Sequence, residues 1–222
     1  MSILNIHSIF ESVSGEAGGF PQGAVCTFIR LQGCNLKCKW CDTADSQHPT
    51  GVSTQWSPIS IKEWCQTFST KRVLITGGEP LFQREGLIEL INELTRAHFE
   101  VQIETNGSYC LPDLNNAPHW VVDVKPPSSG YWKGIDPEFI DNLGPAWGFV
   151  HLKFVVENRQ DILFAIKQMR VRHLPGTDFI VSPVGGNREW YPEVIEIFKQ
   201  EAPELMNRIV FSLQLHKIVN MA

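Results

Sequence analysis

No apolar run in these 222 residues approaches the roughly 20 that a membrane-spanning helix requires. A basic excess is also missing. Nineteen Lys and Arg stand against 24 Asp and Glu, a formal charge of −5, whereas a partner of duplex nucleic acid is more often basic. The basic start and long apolar stretch of a secretory signal are absent, so the cytoplasm, where thiols stay reduced, is the expected location. No internal repeat, low-complexity tract or long linker interrupts the chain. A single domain over residues 1–222 is therefore expected, of a size common among α/β barrels. Hydrophobic residues at 43% and charged residues at 19% are an ordinary globular balance. The most informative shortage is local: one loop carries three cysteines where a closed structural zinc site takes four ligands.

Those three are Cys34, Cys38 and Cys41, in the run Gly33-Cys34-Asn35-Leu36-Lys37-Cys38-Lys39-Trp40-Cys41-Asp42-Thr43. Three thiolates this close can converge on one metal centre. A [4Fe–4S] cluster that only carries electrons takes four protein ligands, so a cluster held by three keeps one iron free for chemistry. Cys26 in the apolar run Ala24–Ile29, Cys65 in a helical pattern, and Cys110 read as structural free cysteines.

Short apolar runs alternate with helical patterns along the chain. Strands are expected over Arg72–Thr76, Val101–Glu104, Trp120–Val124, His151–Val156, Phe179–Val181 and Ile209–Leu213. Ser60 with Glu63 reads as a capping box opening a helix that runs to about Ser69. Leu87, Leu90, Ile91 and Leu94 share one face of the next helix. Further helices are expected at about Arg159–Arg172, with Asn158 as cap, and at about Glu189–Gln200. This alternation predicts an α/β fold with a mostly parallel sheet, either doubly wound or a partial barrel. The polar and Gly-rich motifs fall at the carboxyl ends of the strands, the active-site end of both architectures.

The Cys-x3-Cys-x2-Cys loop, the aromatic Trp40 before Cys41, and Gly77-Gly78-Glu79-Pro80 after a strand resemble the radical S-adenosylmethionine (SAM) enzymes. Phe10-Glu11-Ser12-Val13-Ser14-Gly15-Glu16, Phe28–Cys34, Trp40-Cys41-Asp42-Thr43, Ile75–Pro80, Gln102–Gly107 and Gln214-Leu215-His216-Lys217 extend the likeness almost end to end. Together they resemble the 7-carboxy-7-deazaguanine synthase family. The resemblance implies an incomplete TIM-type barrel with its cluster loop at 34–41. It implies a lyase reaction of 7-deazapurine and queuosine biosynthesis: 6-carboxy-5,6,7,8-tetrahydropterin becomes 7-carboxy-7-deazaguanine by ring contraction with loss of ammonia. The implied cofactors are a [4Fe–4S] cluster, SAM and Mg²⁺, and the implied partners are a flavodoxin-type electron donor and a second copy of the chain.

The resemblance also implies roles by position. Cys34, Cys38 and Cys41 hold the cluster, and Thr43 is the protein ligand to Mg²⁺. Trp40, Asp42, Gly77, Gly78, Glu79, Glu104, the segment Asp123-Val124-Lys125 and the segment Ser182-Pro183-Val184-Gly185 surround SAM. Val13, Ser14, Gly15, Arg30, Thr76, His216 and the chain end at Ala222 bind substrate. Arg30, Thr76 and Glu104 stand closest to the chemistry.

The chain departs from the family pattern in places. The usual Gly-Glu-Gly is Gly15-Glu16-Ala17-Gly18-Gly19, Ser14 stands where glutamine is frequent, and Lys125 precedes two prolines. Two other functions fit parts of the pattern. A glycyl-radical activase would share the cysteines and Gly-Gly-Glu-Pro without needing Arg30 or Thr43. A non-catalytic zinc module could take His48 as fourth ligand.

Overall fold

The structure, a computed structural model, describes residues 2–110, 112, 118–131, 150–171, 179–219 and 221. Its strands are β1 (Leu4–Val13), β2 (Val25–Leu31), β3 (Thr54–Trp56), β4 (Arg72–Gly77), β5 (Glu100–Thr105), β6 (His119–Asp123), β7 (Val150–Val156), β8 (Phe179–Pro183) and β9 (Ile209–Phe211). Its helices are α1 (Pro58–Cys65), α2 (Arg84–Arg96), α3 (Arg159–Val171), α4 (Tyr191–Glu201) and α5 (Leu215–Val219).

The nine strands form one sheet in the order β3-β1-β2-β4-β5-β6-β7-β8-β9. From β2 onward each strand pairs in parallel with the next in that order. A doubly wound sheet reverses its order at a switch point. This one never does, which decides for the partial barrel. β3 and β9 remain as edges, so the barrel is open.

The pleat sorts each parallel strand into two faces. Ile29, Leu31, Val73, Ile75, Val101, Ile103, Trp120, Val122, Leu152, Phe154, Phe179 and Val181 join the main core, together with Leu87, Leu90, Ile91 and Leu94 of α2. Each such side chain contributes about 1.5–3 kcal/mol by leaving water. The alternating residues, among them Phe28, Arg30, Leu74, Thr76, Glu104, Val121, Asp123 and Lys153, face the inside of the barrel.

One end of that interior is plugged by the loop between β1 and β2. Phe20 packs with Cys26 and Leu74, and its N–H donates to Gln102 Oε1 at 2.8 Å. A Cβ on Gly18 would lie 2.8 Å from Gln102 Oε1, and one on Gly19 2.2 Å from His119 Cγ. Gly18 and Gly19, which follow the departure at Ala17, thus sit where the loop presses into the barrel.

Three sequence expectations need revision. β1 and β3 precede and flank the parallel series as antiparallel strands; β3 lies in a stretch rich in Ser, Thr, Pro and Gly that carries little strand signal. Helix α1 opens at Ser57, whose Oγ accepts from Ser60 N at 3.1 Å. Pro58 at the first helical position donates nothing, so the cap falls before it and not at Ser60. The helix also stops at Cys65. Asn158 does cap α3, with Oδ1 accepting from Asp161 N at 3.1 Å.

Candidate active site

The cysteine loop is held by the strand ends beneath it. Gly33 N donates to Ser46 O at 2.7 Å and Cys34 N to Gln47 O at 2.8 Å. Gly78 N donates to Leu31 O at 3.0 Å, and Glu79 N to Gly33 O at 2.8 Å. A Cβ on Gly78 would stand 2.1 Å from Gly33 O, and Gly77 combines φ 137° with a Cβ position 2.2 Å from Leu31 O. Only glycine allows that approach. Glu79 is fully buried. Its carboxylate accepts from Leu81 N at 2.9 Å, Thr105 Oγ1 at 2.8 Å and Asn106 N at 2.7 Å. Asn106 Nδ2 in turn donates to Asn35 Oδ1 at 3.0 Å and lies 3.9 Å from Cys34 Sγ. Gly-Gly-Glu-Pro therefore ties the ends of β4 and β5 to the cysteine loop.

Above this scaffold lies a cavity of about 210 Å³. Cys34, Cys38, Cys41, Trp40, Asp42, Thr43, Gly77, Gly78, Glu104, Asp123, Lys125 and Gly185 line it, together with Gly15, Arg30, Thr76 and His216. Most of the expected site residues are thus brought together from five strand ends, the loop after β1 and α5. Arg30 and Thr76 are register partners on β2 and β4. Thr76 Oγ1 donates to Glu104 Oε2 at 3.4 Å. Thr43 Oγ1 lies 3.5 Å from Gly77 O and 3.7 Å from Cys41 Sγ.

Other expected residues stand apart from the cavity lining. Glu79 faces the scaffold, with both oxygens engaged there. Val124 alternates with Asp123 and Lys125 and is buried on the core side. Ser182 and Pro183 are buried at the end of β8, and Val184 follows them outside the lining. Val13 ends β1, and Ser14 is buried with its Oγ donating to Glu16 O at 3.0 Å. Ala222 lies outside the described residues.

Two charged residues without a role in the sequence reading also line the cavity. Glu16 and Lys153 form a buried ion pair. Gln214 Nε2 donates to Glu16 Oε1 at 3.0 Å, and Lys217 Nζ to Gln214 Oε1 at 2.6 Å. Lys217 also reaches Asp42 at 3.7 Å, and Leu215 N donates to Gly15 O at 2.7 Å. The segment at α5 is thereby bound both to the loop after β1 and to the residue beside Cys41. A lysine alternating inward among the apolar residues of β7 was the available signal for Lys153.

Electrostatics divides the carboxylates. Burial opposes ionisation of Glu16, but the Lys153 ammonium overrides it and lowers the carboxyl below its ordinary value. Burial lifts Glu104 above the ordinary carboxylate range against the pull of Lys153. Burial also works against the charge on Lys125, and Asp123 outweighs it with an ion pair of 2.7 Å. Asp123 Oδ1 is buried and has no hydrogen-bond partner among the described residues. Burial pushes the Cys34 and Cys38 thiols up, so binding iron must displace their protons.

The donor set fits a cluster. All three loop cysteines are free, half-buried and on the cavity wall. Among the described residues no three Cys, His, Asp or Glu side chains converge as around a single ion, and His48 Nδ1 instead meets Thr50 Oγ1 at 2.9 Å. Cys34, Cys38 and Cys41 are the residues that would hold such a cluster beside the cavity. The orphaned Asp123 Oδ1 offers an acceptor for a polar cofactor at the same wall.

Residues 28–121 match the Radical SAM superfamily. The 7-carboxy-7-deazaguanine synthase of Clostridium acetobutylicum is 33% identical, with 95% of this chain and 93% of that protein covered. That of Methanospirillum hungatei is 34% identical, with 98% and 86% covered. The crystal structure of QueE from Escherichia coli superposes with a TM-score of 0.66 at 22% identity, covering 90% of this chain and 91% of that one. Radical SAM fold, cysteine triad and end-to-end likeness agree: the chain belongs to the 7-carboxy-7-deazaguanine synthase family.

Proposed function

We propose that this protein converts 6-carboxy-5,6,7,8-tetrahydropterin to 7-carboxy-7-deazaguanine with release of ammonia. The observation that carries the reading is one cavity whose wall holds the free-cysteine triad on one side and Arg30, Thr76 and Glu104 on the other, in a chain aligned along 95% of its length with a named synthase. Cys34, Cys38 and Cys41 would hold a [4Fe–4S] cluster beside SAM, which together supply one-electron chemistry for hydrogen abstraction.

The chain's own residues bind and orient. Trp40, Asp42, Gly77, Gly78, Asp123, Lys125 and Gly185 form the wall for SAM, with Gly77 and Gly78 keeping the cysteine loop close. Arg30 offers a guanidinium fork to the substrate carboxylate. Thr76 orients Glu104 through its hydroxyl. Thr43 supplies one hard oxygen for Mg²⁺, whose shell the substrate carboxylate and water would complete. His216 and Gly15 border the substrate end, and the segment at α5 keeps water out.

Exposed Lys37 and Lys39 flank Cys38 and suit an acidic electron donor of the flavodoxin type. Exposed Val210 and Leu213 at the β9 edge offer apolar surface for a second copy of the chain, supporting a homodimer. The domain is read as one unit over 1–222 because the described strands share a sheet.

The test is anaerobic reconstitution with iron and sulfide, then dithionite, SAM and the pterin, with and without Mg²⁺, read by mass spectrometry. Appearance of 7-carboxy-7-deazaguanine, faster with Mg²⁺, is expected. Arg30→Ala and Thr43→Ala should each cut turnover and leave the cluster absorbance intact. SAM cleavage with the pterin untouched would move the function to another substrate.

A further inference from the structure

The functional reading leaves the side chain of Asn106 without a task. Asn106 follows β5, is 8% exposed, and lines the cavity beside the cysteine loop. Its backbone is fixed, since Asn106 N donates to the buried Glu79 carboxylate at 2.7 Å. Its amide is fixed too. Ser108 N, which can only donate, lies 3.0 Å from Asn106 Oδ1. Ser108 Oγ reaches the same oxygen at 2.5 Å. The carbonyl end of the amide therefore faces Ser108, and the NH₂ end faces the cysteine loop.

An NH₂ group has two protons to place. One goes to Asn35 Oδ1 at 3.0 Å. The Asn35 amide is itself anchored, with Nδ2 donating to Ser108 Oγ at 2.8 Å. The other proton has Cys34 Sγ as its acceptor, 3.9 Å from Asn106 Nδ2, a contact that the large radius of sulfur allows. Leu36 N meets the same sulfur at 3.4 Å. Two N–H donors thus converge on the first thiol of the triad. The Leu36 donor is backbone and survives any change of side chain. The Asn106 donor comes from a different strand end and needs this residue.

Hydrogen bonds to a cluster sulfur favour the state that holds more negative charge, and so raise the reduction potential. We propose that Asn106 tunes the cluster: its amide N–H stabilises the Cys34 thiolate most in the reduced state, so that the cluster accepts its electron more readily. The proposal rests on the cluster of the functional reading and not on the pterin.

The experiment is a redox titration of the reconstituted protein, followed by electron paramagnetic resonance of the reduced cluster, first without SAM and then with it. Dithionite supplies the single electron through mediators, and no turnover is needed. Wild type is compared with Asn106→Ala and Ser108→Ala. Without SAM, Asn106→Ala should lower the reduction equilibrium constant by up to about tenfold, which is about 59 mV for one electron. Ser108→Ala disturbs the same turn but keeps the backbone N–H that orients the Asn106 amide, so its potential should match wild type. A wild-type potential in Asn106→Ala, or an equal fall in both variants, would overturn the proposal. A shift seen only with SAM would also overturn it and make Asn106 a SAM contact. If Asn106→Ala holds no cluster, the wild type decides. With asparagine isotope-labelled at its side-chain nitrogen, the reduced cluster should show a nitrogen coupling that survives Asn35→Ala, and a missing coupling would overturn the proposal. A wild type that assembles no cluster would instead overturn the functional reading, and the Asn106 proposal with it.

Discussion

The two faces of the parallel sheet use the same strands for opposite purposes. On β7, Leu152, Phe154 and Val156 are completely buried against the helices, while Lys153 and Val155 line the cavity. On β5, Ile103 belongs to the core and Glu104 to the cavity. The outer face is apolar and closely packed, and each side chain there stabilises the fold through area removed from water. The inner face holds Glu16, Glu104, Asp123, Lys125 and Lys153 in partly paired groups, where burial opposes the charges of Glu16, Glu104, Lys125 and Lys153. Apolar burial carries the outer face, and paired charge the inner one.

Substitutions on either face sharpen this contrast. Cys38→Ala should have the largest effect: turnover falls below detection and iron content drops, while circular dichroism and the denaturant midpoint of the cluster-free protein stay near wild type. Phe154→Ala on the outer face should cost about 3–5 kcal/mol of stability by chemical denaturation. Val155→Ala, one residue along, should cost less and act on KM. Equal losses of stability at the two positions would break the division between faces.

Glu16→Gln should cost about 3 kcal/mol at pH 7, because it leaves Lys153 without its ion-pair partner. The Glu16 carboxyl is held below its ordinary value in the fold, so its contribution is full above the unfolded value near about 4.3. That contribution is lost as pH falls through the folded value. The wild-type and Glu16→Gln stability curves should therefore converge below about pH 4.3; parallel curves would show that the pair carries no linkage. Glu79→Gln should cost about 1–3 kcal/mol, since one amide N–H₂ must replace an oxygen that now meets N–H and O–H donors. It should also loosen the cysteine loop, read as faster amide exchange around Gly33 and Cys34. The smallest effect, about 1 kcal/mol, is expected for Ser57→Ala at the α1 cap, with turnover untouched.

The sequence was legible where a pattern repeats or a motif is local. The hydrophobic stripe Leu87, Leu90, Ile91 and Leu94 is buried as its spacing requires. The alternation of strands and helices predicted a parallel α/β sheet, and the three cysteines of the loop do share one cavity wall. Glu79 was harder to place, because a motif names a residue without saying which way its side chain turns. Val124 follows from the same limit: within Asp123-Val124-Lys125 the pleat sends alternate side chains to opposite faces. The antiparallel β1 and β3 went unrecognised because β3 is short and sits in a turn-like composition.

By itself the sequence determined the family, the strand–helix alternation and the cysteine triad, since these rest on local spacing and on side-chain chemistry that neighbours cannot alter. Tertiary structure alone decided between a doubly wound sheet and an open barrel, because strand order is a matter of which edges meet. It also decided that Glu16 and Lys153, 137 residues apart, share one buried ion pair. No local rule joins such distant positions; the register of β6 with β7 and the loop folded into the barrel bring them together.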